Sequence, residues 1–165
     1  MKRILKEKLK KDIRLESENS INFYKFEDLS PSQLYDIFNL RLSVFVTEQK
    51  ILYVDTDYYD QDADHWLFHN KGKLKSYARV IKPGKKYDFF SIGRVVTEKK
   101  SRNKGYSSRL INKIINHYKK DFIISAQYQL VNFYEKFGFK VDSKPYIEEG
   151  LKHVKMKLLY KVENH

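Results

Sequence analysis

The chain has 165 residues, 41% hydrophobic and 15% aromatic, enough for one domain with a core of its own. It has no cysteine, which excludes disulfides, thiolate metal sites and a cysteine nucleophile, and no apolar run approaches the ~20 residues that span a bilayer. The formal net charge of +12 favours anionic partners, from nucleic acid to a polyphosphorylated cofactor. There is no long basic run and no zinc-finger spacing to make it a nucleic-acid motif.

Residues 1–20 form a highly charged, weakly amphipathic extension (Ile4, Leu5, Leu9, Ile13), with neither the apolar core nor the cleavage site of a signal peptide. A cytoplasmic protein is therefore expected, with a single domain over residues 21–160. A strand is predicted near Ile21–Phe26. Ser30 then caps a helix with Pro31 at its first position. Leu34, Ile37, Phe38, Leu42 and Phe45 form its expected apolar face, with Arg41 on the same side as a snorkelling or ion-paired arginine.

Between Lys50 and Asp64 the chain reads as a loop carrying Asp55, Asp57, Asp60, Asp62 and Asp64. An EF-hand is excluded, because Tyr59 stands at the third ligand position, the required glycine is absent and so is the closing glutamate. Two readings stay open: a wall that draws in a cationic substrate, helped by Tyr53, Tyr58 and Tyr59, or a solvated loop whose aspartates cap turns. A hairpin comes next, His65–His69 and Leu74–Ile81 joined through Asn70-Lys71-Gly72-Lys73, with Pro83-Gly84 ending it.

Phe89–Thr97 is a strand rich in β-branched residues, and a polar turn ending in Gly105 leads from it into a helix. Leu110, Ile111, Ile114, Ile115 and Tyr118 recur on one face of that helix. A helix start presents unpaired N–H groups and a partial positive charge, and Arg102 and Lys104 add two cations. The turn is thus a seat for phosphate or pyrophosphate, although it matches neither G-x-G-x-x-G nor the P-loop. Phe122–Ala126 is a further strand. Leu130, Phe133, Tyr134 and Phe137 line a helix that stops at Gly138, and Phe139–Val141 and Val154–Leu159 are the last strands. The order β-α-β-β-β-α-β-α-β-β indicates an α/β domain (α+β, with a mixed sheet) rather than a doubly wound parallel fold.

Two of these segments together carry a resemblance. Arg102-x-x-Gly105-x-Ser107 at a helix start, followed by Asn132-Phe133-Tyr134-Glu135-Lys136-Phe137-Gly138-Phe139, resembles the acetyl-CoA-binding motifs of the GNAT N-acetyltransferases. Flanking segments are similar to the ElaA-type branch of that family: Arg41 with Val44-Phe45-Val46-x-Glu48-Gln49, Tyr53-x-Asp55-x-Asp57, Tyr77-Ala78-Arg79, Ile92-Gly93-Arg94-Val95, and Tyr146-x-Glu148-Glu149-Gly150-x-x-His153-x-x-Met156. The likeness runs from about Phe23 to Leu158, and Ser107 departs from it by replacing the usual glycine or alanine.

The resemblance implies a central, mostly antiparallel sheet flanked by helices. It also implies an acyltransferase that moves acetyl from acetyl-CoA to a primary amine, on a small molecule or a peptide, without a metal. Backbone groups of Arg102, Asn103, Lys104, Gly105, Tyr106 and Ser107 would cradle the pyrophosphate. Val95, Val96 and Thr97 would pair with the pantetheine arm and polarise the thioester carbonyl, and Asn132 would touch the cofactor. Tyr134 would protonate the departing thiolate. The base is open among Glu48, His65, Glu149 and His153, with a water relay from Glu48 or His65 preferred. Asp55, Asp57, Glu149 and His153 would face the acceptor. No nucleophile elbow is present, so direct transfer in a ternary complex is expected rather than an acyl-enzyme. Two alternatives remain: a related enzyme that uses another acyl-CoA or an acyl carrier to make a signalling amide, and a basic nucleic-acid-binding module, which the acidic loop argues against. No membrane partner is expected, and a homodimer is left open.

Overall fold

A computed structural model describes Glu7 and residues 18–161. The expected N-terminal extension therefore lies largely outside the described residues, apart from Glu7, Glu18, Asn19 and Ser20, the last two of which already belong to the first strand. Eight strands form one sheet: β1 Asn19–Lys25, β2 Ala63–Asn70, β3 Lys73–Ile81, β4 Phe90–Thr97, β5 Phe122–Gln127, β6 Lys140–Val141, β7 Tyr146–Glu148 and β8 Leu151–Leu158. Their order is β1-β2-β3-β4-β5-β8-β6, with β7 also on β8. Only β4 and β5 run parallel; the other pairings are antiparallel. This is the mixed, mostly antiparallel sheet expected from the sequence, with β7 as an addition.

Helix α1 spans Pro31–Leu42 and begins with a reciprocal capping box, in which the Ser30 hydroxyl accepts from the Gln33 N–H and the Gln33 side chain accepts from the Ser30 N–H. It runs on into a π-helical turn over Ser43–Glu48, where the Gln49 N–H bonds the Val44 carbonyl. The buried face is Ile37, Leu40, Arg41 and Val44, spaced i, i+3, i+4 and i+7 as one helical stripe. Leu42, expected inside, is 46% exposed. Helix α2 spans Tyr106–Tyr118, and α3 is a short helix over Val131–Glu135.

Period-two alternation in β2 and β3 divides the core between the two sheet faces. Trp66, Phe68, Ala78 and Val80 pack with Leu110, Ile111, Ile114 and Ile115 of α2 and with Tyr134 of α3. Leu67, Tyr77 and Val96 point the other way and meet Ile37, Leu40 and Val44. Helices α1 and α2 thus cover opposite faces. The β2–β3 turn uses Lys71 and Gly72, both at positive φ, the twist that suits a two-residue hairpin.

Strand β4 is irregular on both of its edges. Against β3 its register advances three residues, Gly93 to Val96, while β3 advances two, Tyr77 to Arg79. The extra residue is a β-bulge, and Arg94 within it has a φ of +52°. Against β5, pairing is confined to Phe90–Phe122 and Ser91–Ile123, after which the strands part.

Candidate active site

Parting leaves the facing edges of β4 beyond Ser91 and of β5 beyond Ile123 without ladder partners, and a cleft of about 330 Å³ opens between them. Gly93, Arg94 and Val95 line one side, and Ser125, Ala126 and Gln127 the other. Tyr134 of α3 closes part of it. Tyr59, Lys86, Tyr87, Glu148, Glu149 and His153 line the rest, with Ile51, Val54, Leu130 and Leu151 as apolar surface.

The β4–α2 turn lies beyond the end of β4. Gly105 caps α2 at a φ of +74°, a conformation that suits glycine, and the first hydrogen bond of the helix runs from the Arg109 N–H to the Gly105 carbonyl. The N–H groups of Tyr106 and Ser107 therefore have no intrahelical acceptor. Asn103, Lys104 and Gly105 are exposed, and Asn103 also takes a positive φ. The Tyr106 ring is stacked on Phe68 at 4.4 Å, so at this turn Tyr106 offers only its backbone. Val96 is buried, its carbonyl taken by the Ser76 hydroxyl, and the Thr97 hydroxyl also meets Ser76. Asn132 is exposed on α3 and lines a separate shallow depression with Tyr128 and Val141.

The acidic loop is not a free anionic wall. The Arg41 Nε donates to Asp55 at 2.6 Å and its Nη1 to Asp60 at 2.7 Å. Arg79 grips Asp57 with both terminal nitrogens at 2.6 and 2.7 Å and also donates to Asp60. The Arg94 Nε lies 2.8 Å from Asp55, which further accepts from the Tyr53 hydroxyl. Three guanidinium groups thus neutralise three carboxylates. Burial opposes ionisation of Asp57, but the hydrogen bond from Arg79 and the charges of Arg79 and Arg94 outweigh it and bring its carboxyl down to about 2. Asp55, with no side-chain exposure, cannot touch an acceptor, which corrects the sequence expectation. Asp57 reaches the cleft wall with its charge already bound.

Two base candidates are also taken up elsewhere. His65 is buried beneath the same loop; its Nε2 faces the Asp60 carbonyl, an acceptor, and so carries the proton, leaving Nδ1 to accept from the Tyr77 hydroxyl. Burial pushes its pKa down, holding it neutral and locked away from the cleft. Glu48 accepts both terminal nitrogens of Arg102 at 2.6 and 2.8 Å. That hydrogen bond, against a smaller opposing effect of burial, lowers the Glu48 pKa and weakens it as a base. Neither of the two residues preferred for a water relay lines the cleft.

His153 and Tyr134 do line it. The His153 Nδ1 bonds the Leu151 carbonyl at 2.9 Å, so Nδ1 carries the proton and Nε2 keeps its lone pair. Tyr134 is 7% exposed, with no hydrogen-bond partner to its hydroxyl among the described residues, and burial raises its pKa, keeping the phenol protonated. Glu149 and Gly150 form the β7–β8 turn, both at positive φ. Three cleft features have no signal in the sequence. Lys86 and Tyr87 lie in the β3–β4 loop, where nothing marks one lysine among many. Ser125 bonds both Glu148 and Tyr146 at 2.6 Å, a contact across β5, β8 and β7 with no local signature.

A family model described as an acetyltransferase (GNAT) domain matches residues 29–160. A UPF0039 protein of Schizosaccharomyces pombe is 37% identical over 140 residues, covering 81% of this chain and 92% of its own. Protein ElaA of Escherichia coli is 35% identical over 136 residues, 78% of this chain and 89% of its own. Its crystal structure superposes with a TM-score of 0.78 at 32% identity, over 84% of this chain and 98% of that one. An acyl-CoA N-acyltransferase from Pseudomonas aeruginosa gives a TM-score of 0.79 at 28% identity, with the same coverage. The chain therefore belongs to the GNAT acetyltransferase family, in its ElaA-type branch, and is an N-acyltransferase.

Proposed function

We propose that the chain transfers an acetyl group from acetyl-CoA directly to a primary amine bound in the β4–β5 cleft. The observation that carries this reading is the cleft itself. Parted strand edges supply unpaired backbone groups, and the bulge at Arg94 turns β4 toward the opening beside Tyr134 and His153. The pantetheine arm would lie along the free edge of β4, with a backbone N–H near Val95 donating to the thioester oxygen as it becomes an oxyanion. The pyrophosphate would sit on the N–H groups from Asn103 to Ser107.

The amine lone pair attacks the thioester carbonyl, a C–N bond forms and the C–S bond breaks. The His153 Nε2 accepts the amine proton, directly or through one water, and the Tyr134 hydroxyl gives its proton to the leaving thiolate. Burial keeps Tyr134 protonated but also weakens it as an acid, so its proton moves as the C–S bond breaks, where the same burial disfavours a free thiolate charge.

Acetyl-CoA at about 100 times its Kd adds roughly 2.7 kcal/mol to the folded state, a rise of about 5–11 °C in Tm. No atom lies within 4 Å of a Cβ built at Gly105, so a substitution there acts through charge and backbone strain rather than collision. Gly105→Asn, which tolerates positive φ, should keep most of the rise, whereas Gly105→Asp, with a carboxylate against the pyrophosphate, should abolish it. An undiminished rise in Gly105→Asp would exclude this turn as the pyrophosphate seat.

A further inference from the structure

The β3–β4 loop, residues 82–89, contributes Lys86 and Tyr87 to the cleft wall. The Lys86 Nζ lies 5.8 Å from the centre of the Tyr59 ring and 5.5 Å from that of Tyr87, and the residue is half-buried. Among the described residues its ammonium has no ion pair within 4 Å and no hydrogen-bond acceptor. Nearby, Arg79 and Arg94 are committed to Asp57 and Asp55, while Glu148 accepts from the Ser125 hydroxyl, keeps its charge and forms no ion pair with Lys86 within 4 Å. Burial lowers the Lys86 pKa against the pull of Glu148, with Arg79 and Arg94 adding to the shift. Two aromatic faces attract a cation, but they leave all three of its N–H donors without an acceptor. A lysine that served only solubility would reach water, as the many exposed lysines of this chain do.

We infer that Lys86 binds a carboxylate carried by the acceptor, so that the amine acylated in the cleft belongs to an α-amino acid with an apolar side chain. This rests on the acyl-transfer reading and narrows it. The anion is a carboxylate rather than a phosphate because Glu148 and Glu149 line the same cleft and would repel a dianion more strongly than a monoanion. Glu148 and His153 provide a negative charge and a proton acceptor for the ammonium end of the same molecule. Ile51, Val54, Leu130 and Leu151 provide apolar surface for the side chain. With Arg79 and Arg94 neutralised by the arginine–aspartate network, Lys86 is the cation left to read the substrate among the described residues that line the cleft.

The test uses two matched pairs of acceptors, L-phenylalanine with phenethylamine and L-leucine with isoamylamine, with thiol release from acetyl-CoA as the readout. The wild-type protein should favour the carboxylate-bearing member of each pair by tenfold or more in kcat/KM. Lys86→Met, which keeps the apolar stem and removes the charge, should collapse that ratio toward one through KM, and Lys86→Arg should preserve it. Equal use of both members by the wild type, or a ratio that survives in Lys86→Met, overturns the inference and leaves acyl transfer standing. Absence of thiol release with all four amines also overturns the inference, because neither amino acid is then an acceptor, while the acetyl-CoA-induced rise in Tm decides the acyl-transfer reading separately. The wild-type comparison depends on no variant folding.

Discussion

Asp55→Ala separates the two roles open to the acidic loop. In the structure this carboxylate is buried, accepts from the Arg41 Nε and the Tyr53 hydroxyl at 2.6 and 2.9 Å, and forms an ion pair with the Arg94 guanidinium at 2.8 Å. Removing it strands two donors, one of them charged, and takes the ion pair from Arg94. An orphaned buried donor costs about 1–3 kcal/mol, and breaking a buried ion pair from one side about 3–5 kcal/mol. The Arg94 side chain is 21% exposed and can recover some hydration, so the two costs are not summed and the broken buried pair with Arg41 sets the figure: about 3–5 kcal/mol. For a chain of this size that is a fall of roughly 6–20 °C in Tm. Asp62→Ala is the control, since its pair with Lys85 lies on the surface with both side chains half exposed, and it should move Tm by no more than about 2 °C. Thermal unfolding followed by circular dichroism reads both. A Tm for Asp55→Ala within about 2 °C of wild type, with acceptor KM raised, would show that Asp55 faces substrate and that the network is not what holds the loop.

Tyr134→Phe keeps the ring in the core and removes the proposed acid; kcat should fall by about 10²–10⁴ with the acetyl-CoA-induced rise in Tm unchanged, and unaltered turnover would dismiss it. Glu48→Gln, by contrast, should leave kcat within about threefold, because the carboxylate is engaged by Arg102 and does not line the cleft; a loss near that of a general base would restore it as one. Acid should destabilise the protein in two stages. His65 and His69 have folded pKa values depressed by burial, so their contribution is present above about pH 6.5 and declines as pH falls below it. Asp57, lowered to about 2, and Asp60, lowered in the same direction, contribute above about pH 4 and lose that contribution as pH falls toward 2. Urea midpoints measured from pH 8 to pH 2 check this, and a midpoint that rises on acidification from pH 7 to pH 5 would contradict it.

The elements legible in the sequence are those whose signal is local. The capping box at Ser30, the β-branched run of β4 and the apolar stripe of α2 each depend on neighbours a few residues away, and each is present. The family motifs are readable for the same reason. The acidic loop is not, because its meaning lies in partners 14 to 39 positions distant: Arg41, Arg79 and Arg94 stand on three different elements and converge only in the fold. Glu48 and His65 fail likewise as bases, since a carboxylate and an imidazole look available in any sequence. Only the pairings with Arg102, Tyr77 and the Asp60 carbonyl show that they are spent. Lys86 is hidden in a lysine-rich chain, because a lysine is informative only where water is excluded around it.

The network also connects stability to the donor side of the cleft. Arg94 holds the bulge of β4 at a left-handed φ, a conformation that costs a non-glycine residue about 1–3 kcal/mol unless its surroundings enforce it. Its guanidinium is fixed by Asp55, Asp57 and the Asp55 carbonyl, groups of the loop that Arg41 and Arg79 fix in turn. The strain at the bulge is thus offset by ion pairs formed some distance along the chain. Without them β4 could relax to a regular ladder with β3, and the backbone at Gly93–Val95 that lines the cleft would shift. On the proposed mechanism, a buried ion-pair network that adds little net stability over an apolar core of equal volume would serve geometry, because apolar residues could fill the space but could not fix the Arg94 bulge beside the proposed thioester site.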